Sequence, residues 1–135
     1  MKKYLLAGAA LMVMSGLPLA AHADTMQGYT NSSAELLAGP GSDFPAVAHV
    51  ASGVNIDIMG CVNGFTWCDV SWNGNRGWID ANYLDSIYKD RHVKVTEYGS
   101  QEKLPVVVFE QKSYWDNYYR DQPFYTEHRY WTTNP

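Results

Sequence analysis

The sequence predicts an all-β fold, in which a small barrel of short strands precedes an aromatic-rich C-terminal extension. Apolar residues alternate with others along residues 54–58 and again along residues 68–72, and this alternation is typical of strands with one apolar face. Asn-Gly pairs at 63–64 and 73–74 follow or join these stretches. Because Asn-Gly tolerates the positive φ angles of tight hairpins, short strands joined by such turns favour a small barrel.

Residues 1–23 have the pattern of a secretory signal peptide. Lys2 and Lys3 precede an apolar run over residues 5–19, and a small-x-small site follows at residues 21–23. The run is shorter than the roughly twenty apolar residues that a membrane span needs. We therefore expect cleavage after Ala23, no membrane association of the mature chain, and a periplasmic or secreted location.

The predicted barrel is acidic, and this charge argues against several classes of partner. The chain has ten basic and fourteen acidic residues, and loss of the signal peptide changes the net charge from −4 to −6. Residues 28–85 contain six acids and only Arg76, whereas residues 86–135 contain seven bases and seven acids. An acidic module repels phosphate groups, so nucleic acid, anionic lipid and teichoic-type polymers are not expected partners.

Other elements follow from local composition. Residues 38–45 are rich in Gly and Pro and predict a structured loop. Residues 93–96 and 105–109 predict two further strands. The aromatic residues at 114, 115, 118 and 119 form one stripe of a predicted short helix, with Ser113 as N-cap and Asp116 in a capping-box position. Pro123 would end that helix.

Residues 67–84, WCDVSWNGNRGWIDANYL, resemble the second half of an SH3 domain. With Gly39-Pro40-Gly41, Phe44-Pro45, Gly53-Val54 and Gly60-Cys61 upstream, the chain is similar to the bacterial SH3 family, particularly its secreted proteobacterial YraI-like members. The resemblance implies a five-stranded, partly open SH3-like barrel over residues 24–85, with a 3₁₀ turn at residues 81–84. It also implies a noncatalytic module that binds peptide or cell-wall components.

Candidate ligand-binding residues come from the groove that this resemblance implies and from the C-terminal aromatic residues. Trp67 and Tyr83 occupy positions of the aromatic platform, and Phe44 in the long loop could form a third wall. Flat aromatic faces suit an extended or proline-containing peptide, since its backbone is already stiff. Trp115 and Tyr118 complete the set, because Trp and Tyr are common in binding hot spots. Core packing is the alternative role for each of these rings.

Cys61 and Cys68 are the two cysteines of the chain, and export to an oxidising compartment favours a disulfide between them. If Gly64 and Phe65 are the central residues of a hairpin, the cysteines lie opposite each other as a hydrogen-bonded pair with Cα atoms about 5.5 Å apart. A turn centred on residues 63–64 would instead place Cys61 opposite residue 66. The short paired spacings of a structural zinc site are absent, so no metal or other cofactor is expected.

No motif for a serine hydrolase, a zinc protease or a phosphate loop occurs in the sequence, and its acids are expected to lie on solvated faces, so the chain is not predicted to be an enzyme. A small wall hydrolase with paired carboxylates is the remaining catalytic possibility.

The C-terminal segment, residues 86–135, admits three interpretations: packing on the barrel, stacking against glycan, and contact with another protein. The leading hypothesis is an exported module that binds peptide or a peptidoglycan stem peptide. The alternative is a periplasmic protein-interaction or inhibitory factor that acts through the aromatic segment. No feature of the sequence indicates an oligomeric state.

Overall fold

The main element of the chain is one open antiparallel sheet of eight strands, as given by a computed structural model that describes residues 25–127. The all-β prediction is thereby confirmed. The strands are β1 (Met26–Thr30), β2 (Ala34–Leu37), β3 (Ala46–Val50), β4 (Asn55–Cys61), β5 (Trp67–Trp72), β6 (Asn75–Asp80), β7 (Leu84–Tyr88) and β8 (Arg91–Lys94). Their spatial order is β3-β2-β6-β5-β4-β1-β7-β8.

The helical elements are short and lie mostly towards the C-terminus. A 3₁₀ turn at Ala81–Tyr83 follows β6, as expected, and α1 (Val95–Tyr98) follows β8 directly. The C-terminal segment contains α2 (Gln111–Tyr118) and a second 3₁₀ turn at Pro123–Thr126. Within the described range, no helix is long and apolar enough to cross a membrane. The signal peptide predicted for residues 1–23 lies outside the described residues.

Two apolar clusters lie on opposite faces of the sheet. The inner cluster consists of Ala34, Leu36, Val50, Ile56, Ile58, Cys61, Cys68, Val70, Ile79, Ala81, Leu84, Val95 and Leu104. The aromatic cluster consists of Leu37, Ala38, Phe44, Trp67, Trp78, Trp115 and Tyr119, with half-buried Phe109, Tyr114 and Phe124 packed against it. Since the second cluster joins the outer face of the sheet to the C-terminal segment, that segment packs on the sheet.

Burial along β5 follows from this two-sided packing. Cys68 and Val70 belong to the inner cluster and Trp67 to the aromatic cluster, so successive residues of one strand are buried on alternate faces. Trp72 is half-buried against the inner cluster, as its alternation with Val70 predicts. Trp78 in β6 is buried as expected, but in the aromatic cluster.

The hairpins confirm part of the predicted turn chemistry. Asn73 and Gly74 have φ angles of 49° and 79° and join Trp72 to Asn75, which are paired across β5 and β6. Positive φ at both central residues matches the mirror-image turn that suits the twist of the strands. In the β4–β5 hairpin the positive φ angles fall instead at Gly64 and Phe65.

The β4–β5 register places Cys61 opposite Cys68, and a disulfide joins them. The predicted hydrogen-bonded pairing is wrong, because the Cα atoms are 3.9 Å apart and the backbone of Cys61 points away from β5. The Cys61 N–H donates to the Pro105 carbonyl, and the Cys61 carbonyl accepts from the Val107 N–H, each over 2.8 Å. Neighbouring side chains come closest at such non-hydrogen-bonded positions of a ladder.

Several elements differ from expectation. The sheet has eight strands where the resemblance implied five, since β2 and β3 pair across the 38–45 loop and β8 pairs with β7 beyond residue 85. Residues 105–109 make only a single parallel bridge to Cys61, so they are extended but do not form a strand. The predicted strand at 93–96 is divided, because β8 ends at Lys94 and α1 begins at Val95.

The C-terminal helix begins earlier than predicted. Its N-cap is Glu110, and the carboxylate of Glu110 accepts hydrogen bonds from the backbone N–H groups of Lys112 (2.9 Å) and Ser113 (3.2 Å). Ser113 is therefore inside the first turn, and the predicted capping box with Asp116 does not form. The helix ends before Pro123, as expected, and the proline begins the second 3₁₀ turn.

Candidate binding groove and the docked aromatic segment

A shallow groove of about 500 Å³ lies between the 3₁₀ turn and the edge of the sheet. Trp67 and Tyr83 line it together with Glu35, Asp80 and His49. The structure thus brings together the two aromatic residues that the resemblance assigned to a groove. The Tyr83 side of the groove is open, since Tyr83 is 41% exposed, whereas Trp67 is 8% exposed.

Local hydrogen bonds explain why these two residues line one groove. Trp67 begins β5 opposite Asp80, the last residue of β6. The carboxylate of Asp80 accepts from the backbone N–H of Asn82 over 2.9 Å, and this cap starts the 3₁₀ turn immediately after β6. The carbonyl of Tyr83 then accepts from the N–H of Asn31 over 3.0 Å, so Tyr83 is fixed against the end of β1.

The groove is acidic and carries no Lys or Arg among its lining residues. Glu35 of β2 lies directly opposite His49 of β3 and both are exposed, while Asp80 is half-buried at the end of the groove. Two carboxylates beside exposed aromatic surface suit a ligand that combines apolar groups with a protonated amine.

The other three candidate residues lie elsewhere. Phe44 is buried, and its ring fills the space above Gly39, where an added Cβ would come within 2.5 Å of it. It does not line the groove, so it offers no third wall. Trp115 is also buried in the aromatic cluster and borders a separate depression of about 300 Å³ with Lys112. Tyr118, the last residue of α2, is 40% exposed and does not line the groove.

An ion pair between Asp69 and Arg76 anchors the C-terminal helix to the sheet, and sequence reasoning did not find it. Asp69 is 6% exposed, although the acids were expected on solvated faces. Its two carboxylate oxygens accept from Nε and Nη2 of Arg76, each over 2.7 Å. The Tyr114 hydroxyl donates to the same carboxylate over 2.6 Å. Bidentate pairing of this kind satisfies a buried carboxylate that would otherwise be costly.

Aromatic hydroxyls from α2 complete this network. Nη1 of Arg76 donates to the Tyr118 hydroxyl over 2.9 Å, and the guanidinium carbon lies 4.5 Å from the centre of the Tyr118 ring. Tyr119 donates its hydroxyl proton to the backbone carbonyl of Arg76 over 2.7 Å. Five residues of the sheet and the C-terminal segment thus hold one another at the outer face.

The environment of the network fixes its protonation states. Burial raises the pKa of the Tyr114 hydroxyl, and the neighbouring Asp69 carboxylate raises it further. Burial lowers the pKa of Arg76, but the hydrogen bond and charge of Asp69 outweigh this effect and raise it above its ordinary value. Tyr114 therefore keeps its hydroxyl proton and Arg76 its positive charge. The network is structural, and we call it the clasp; its members are Asp69, Arg76, Tyr114, Tyr118 and Tyr119.

Comparison with known proteins adds no assignment. No protein-family model matches the chain, and no characterised protein has a significant match to it. In residues 25–127, no group of three or more His, Cys, Asp and Glu side chains is placed to hold a metal ion. The groove and the docked aromatic segment are therefore the features on which a proposal of function rests.

Proposed function

We propose that this protein is an exported, noncatalytic binding module of the cell envelope that recognises extended peptide, in particular the stem peptides of peptidoglycan. The observation that carries the proposal is the meeting of Trp67 and Tyr83 in one acidic groove. The Cys61–Cys68 disulfide fits the oxidising periplasm or the outside of the cell.

The chemistry of the groove supports this class of ligand. Stacking on Tyr83 orders little of an extended peptide that is already stiff. Glu35 and Asp80 favour a free amine, such as the side-chain amine of a stem peptide, and disfavour phosphate. An enzyme is less well supported, because Asp80 already caps a 3₁₀ turn and Asp69 is engaged by Arg76.

The alternative, an interaction or inhibitory factor acting through the aromatic segment, has weaker support. The rings of Trp115 and Tyr119 are turned into the aromatic cluster, where they cannot meet a partner. Tyr118 is the main exposed aromatic residue of α2, and it already holds Arg76.

Retention on purified sacculi tests the proposal, with two tyrosines of equal exposure as a matched pair. Tyr83 is 41% exposed and Tyr118 is 40% exposed, so both Tyr→Ala variants remove the same exposed group from different surfaces. We expect Tyr83→Ala to weaken retention about tenfold, the effect of losing a hot-spot contact of 1 to 2 kcal/mol, and Tyr118→Ala to weaken it much less.

Thermal unfolding of both variants controls for folding. If the unmodified protein is not retained at low salt, the proposal is wrong. If Tyr118→Ala abolishes retention and Tyr83→Ala does not, the aromatic segment is the ligand site and the alternative function gains support.

A further inference from the structure

The loop at residues 38–45 connects the groove to the C-terminal helix. The groove is lined by Leu37, the last residue of β2 before the loop, and by Ser42 within the loop. At the back of the same loop, the indole Nε1 of Trp115 donates to the carbonyl of Ala38 over 2.9 Å. The Ala38 N–H in turn donates to the carbonyl of Pro45 over 2.8 Å and closes the loop. Ala38 is therefore bonded both to Pro45, which closes the loop, and to Trp115 of α2.

The aromatic cluster supports this loop from beneath. Phe44 points inward, with its ring centre 5.5 Å from that of Phe109 in an edge-to-face arrangement. The close approach of Phe44 to Gly39 leaves no room for a side chain there. Trp67, which forms the floor of the groove, belongs to the same cluster as Trp115. Two parts of the groove, the loop and Trp67, thus rest on a cluster that the C-terminal segment completes.

The Tyr83 wall is held independently of that segment. Its backbone is bonded to Asn31, and the Asp80 cap sets the 3₁₀ turn. Displacement of α2 would therefore shift the loop and Trp67 relative to Tyr83. Trp115 itself does not line the groove, so any effect that it has on binding acts through the loop or through Trp67, which shares its cluster.

We propose that docking of the C-terminal helix controls the Trp67–Tyr83 groove, with Trp115 as the positioning residue that holds the 38–45 loop in its binding shape. This inference rests on the proposed function of the groove. Thermodynamic linkage makes the coupling reciprocal, so a ligand in the groove stabilises the docked helix to the same extent that docking favours the ligand.

The experiment combines hydrogen exchange with titration of a synthetic stem tetrapeptide that carries a free side-chain amine. Trp115→Phe retains an aromatic ring and removes the Nε1 donor. Loss of a buried hydrogen bond that leaves a carbonyl unpaired is expected to speed exchange of the 38–45 amides about tenfold and to weaken tetrapeptide binding by about the same factor. Exchange of β4 amides at Ile56 and Ile58 reports global stability and is expected to change less.

Tyr125→Phe is the matched control. It also removes one hydrogen bond from an aromatic residue of the C-terminal segment, the 2.6 Å bond from the Tyr125 hydroxyl to Asp116, but it does not touch the loop. Loop exchange and tetrapeptide affinity should stay at the level of the unmodified protein.

A second measurement needs no variant, in case Trp115→Phe folds poorly. Saturating tetrapeptide is expected to slow exchange of the backbone amides of Tyr114 and Trp115 in the unmodified protein. Unchanged loop exchange in Trp115→Phe, faster loop exchange without any loss of affinity, or no protection of α2 by bound tetrapeptide would each overturn the inference. If the unmodified protein binds no tetrapeptide while the loop still loosens in Trp115→Phe, the proposed function fails and the link between helix and loop is supported.

Discussion

Replacing Asp69 by Asn would leave the guanidinium of Arg76 without its anionic partner at the junction of sheet and helix. The carboxylate accepts three hydrogen bonds, two from Arg76 and one from Tyr114. An amide offers one oxygen for these three donors and turns an NH₂ group towards a cation. The substitution conserves size, so its effect comes from charge and hydrogen bonding.

The expected loss of stability is large for a single isosteric change. Breaking a buried pair by removing one partner costs about 3 to 5 kcal/mol. The Arg76 side chain is 22% exposed, so water can solvate it in part and the lower limit applies. A loss of about 3 kcal/mol corresponds to a decrease in Tm of at least about 12 °C for a domain of this size.

Urea unfolding and calorimetry of Asp69→Asn measure this loss, with Asp57→Asn as the control. Asp57 is an exposed acid of β4, so its substitution should change the free energy of unfolding by less than about 0.5 kcal/mol. A double-mutant cycle with Tyr114→Phe should give a coupling of about 1 kcal/mol or more, since both residues belong to one network. If Asp69→Asn costs under about 1 kcal/mol, the clasp does not stabilise the docked helix.

Two further predictions concern the buried Glu102 and the disulfide. Glu102 is 7% exposed and receives a hydrogen bond from the Ser86 hydroxyl; burial raises its pKa in spite of that bond. The folded chain therefore holds this proton to higher pH than the unfolded chain, and stability falls as the pH rises through the folded pKa. Urea midpoints measured between about pH 4 and about pH 8 should show this fall in stability, and Glu102→Gln should make it less steep. Equal slopes for the variant and the unmodified protein would contradict the assignment of the fall to Glu102. Replacing Cys61 and Cys68 by Ala should cost about 2 kcal/mol by the loop-entropy model at their sequence separation of 7. Reductant should then lower the stability of the unmodified protein but leave that of the Ala variant unchanged.

Local patterns predicted the parts of the fold that depend on local chemistry. The alternation at residues 54–58 placed Ile56 and Ile58 on the inner face, and a hairpin centred on Gly64 and Phe65 gave the pairing of the cysteines. The hydrogen bonding predicted for that pair was wrong because the loop is longer than a two-residue turn. The Val62 N–H donates to the Trp67 carbonyl over 2.9 Å, so residues 62 and 67 form a hydrogen-bonded pair and the next pair, Cys61 and Cys68, does not.

The buried ion pair was accessible in part from the sequence. An Asn73-Gly74 turn places Ser71 opposite Arg76, and Asp69 lies two residues farther along on the same face, within reach of a long side chain. The missing information was that this face is covered. The C-terminal segment buries it, through α2 and through Phe109, and nothing in the alternation of β5 identifies a segment that follows so far along the chain.

The positions of two residues of the candidate site were predicted correctly and those of two were not, because burial by distant segments cannot be read from local patterns. The resemblance to an SH3 domain assigned Trp67 and Tyr83 to one groove, and both residues line one groove. Phe44 and Trp115 lie in a loop and in the C-terminal segment, where the direction of a ring depends on what packs beneath it. Both rings turn inward because the outer face of the sheet supplies apolar surface for them.

The position of Trp78 has a consequence for the order in which the chain can fold. Trp78 is 1% exposed, and the rings that pack against it belong to Phe109 and Tyr114, each with its centre within 6 Å (5.5 and 5.7 Å). Synthesis runs from the N-terminus, so the eight strands β1–β8 are complete before these covering residues exist. During that interval the sheet presents an uncovered tryptophan-bearing face, the kind of surface that promotes aggregation and chaperone binding. The segment that carries Phe109 and Tyr114 thus protects the preceding strands from aggregation.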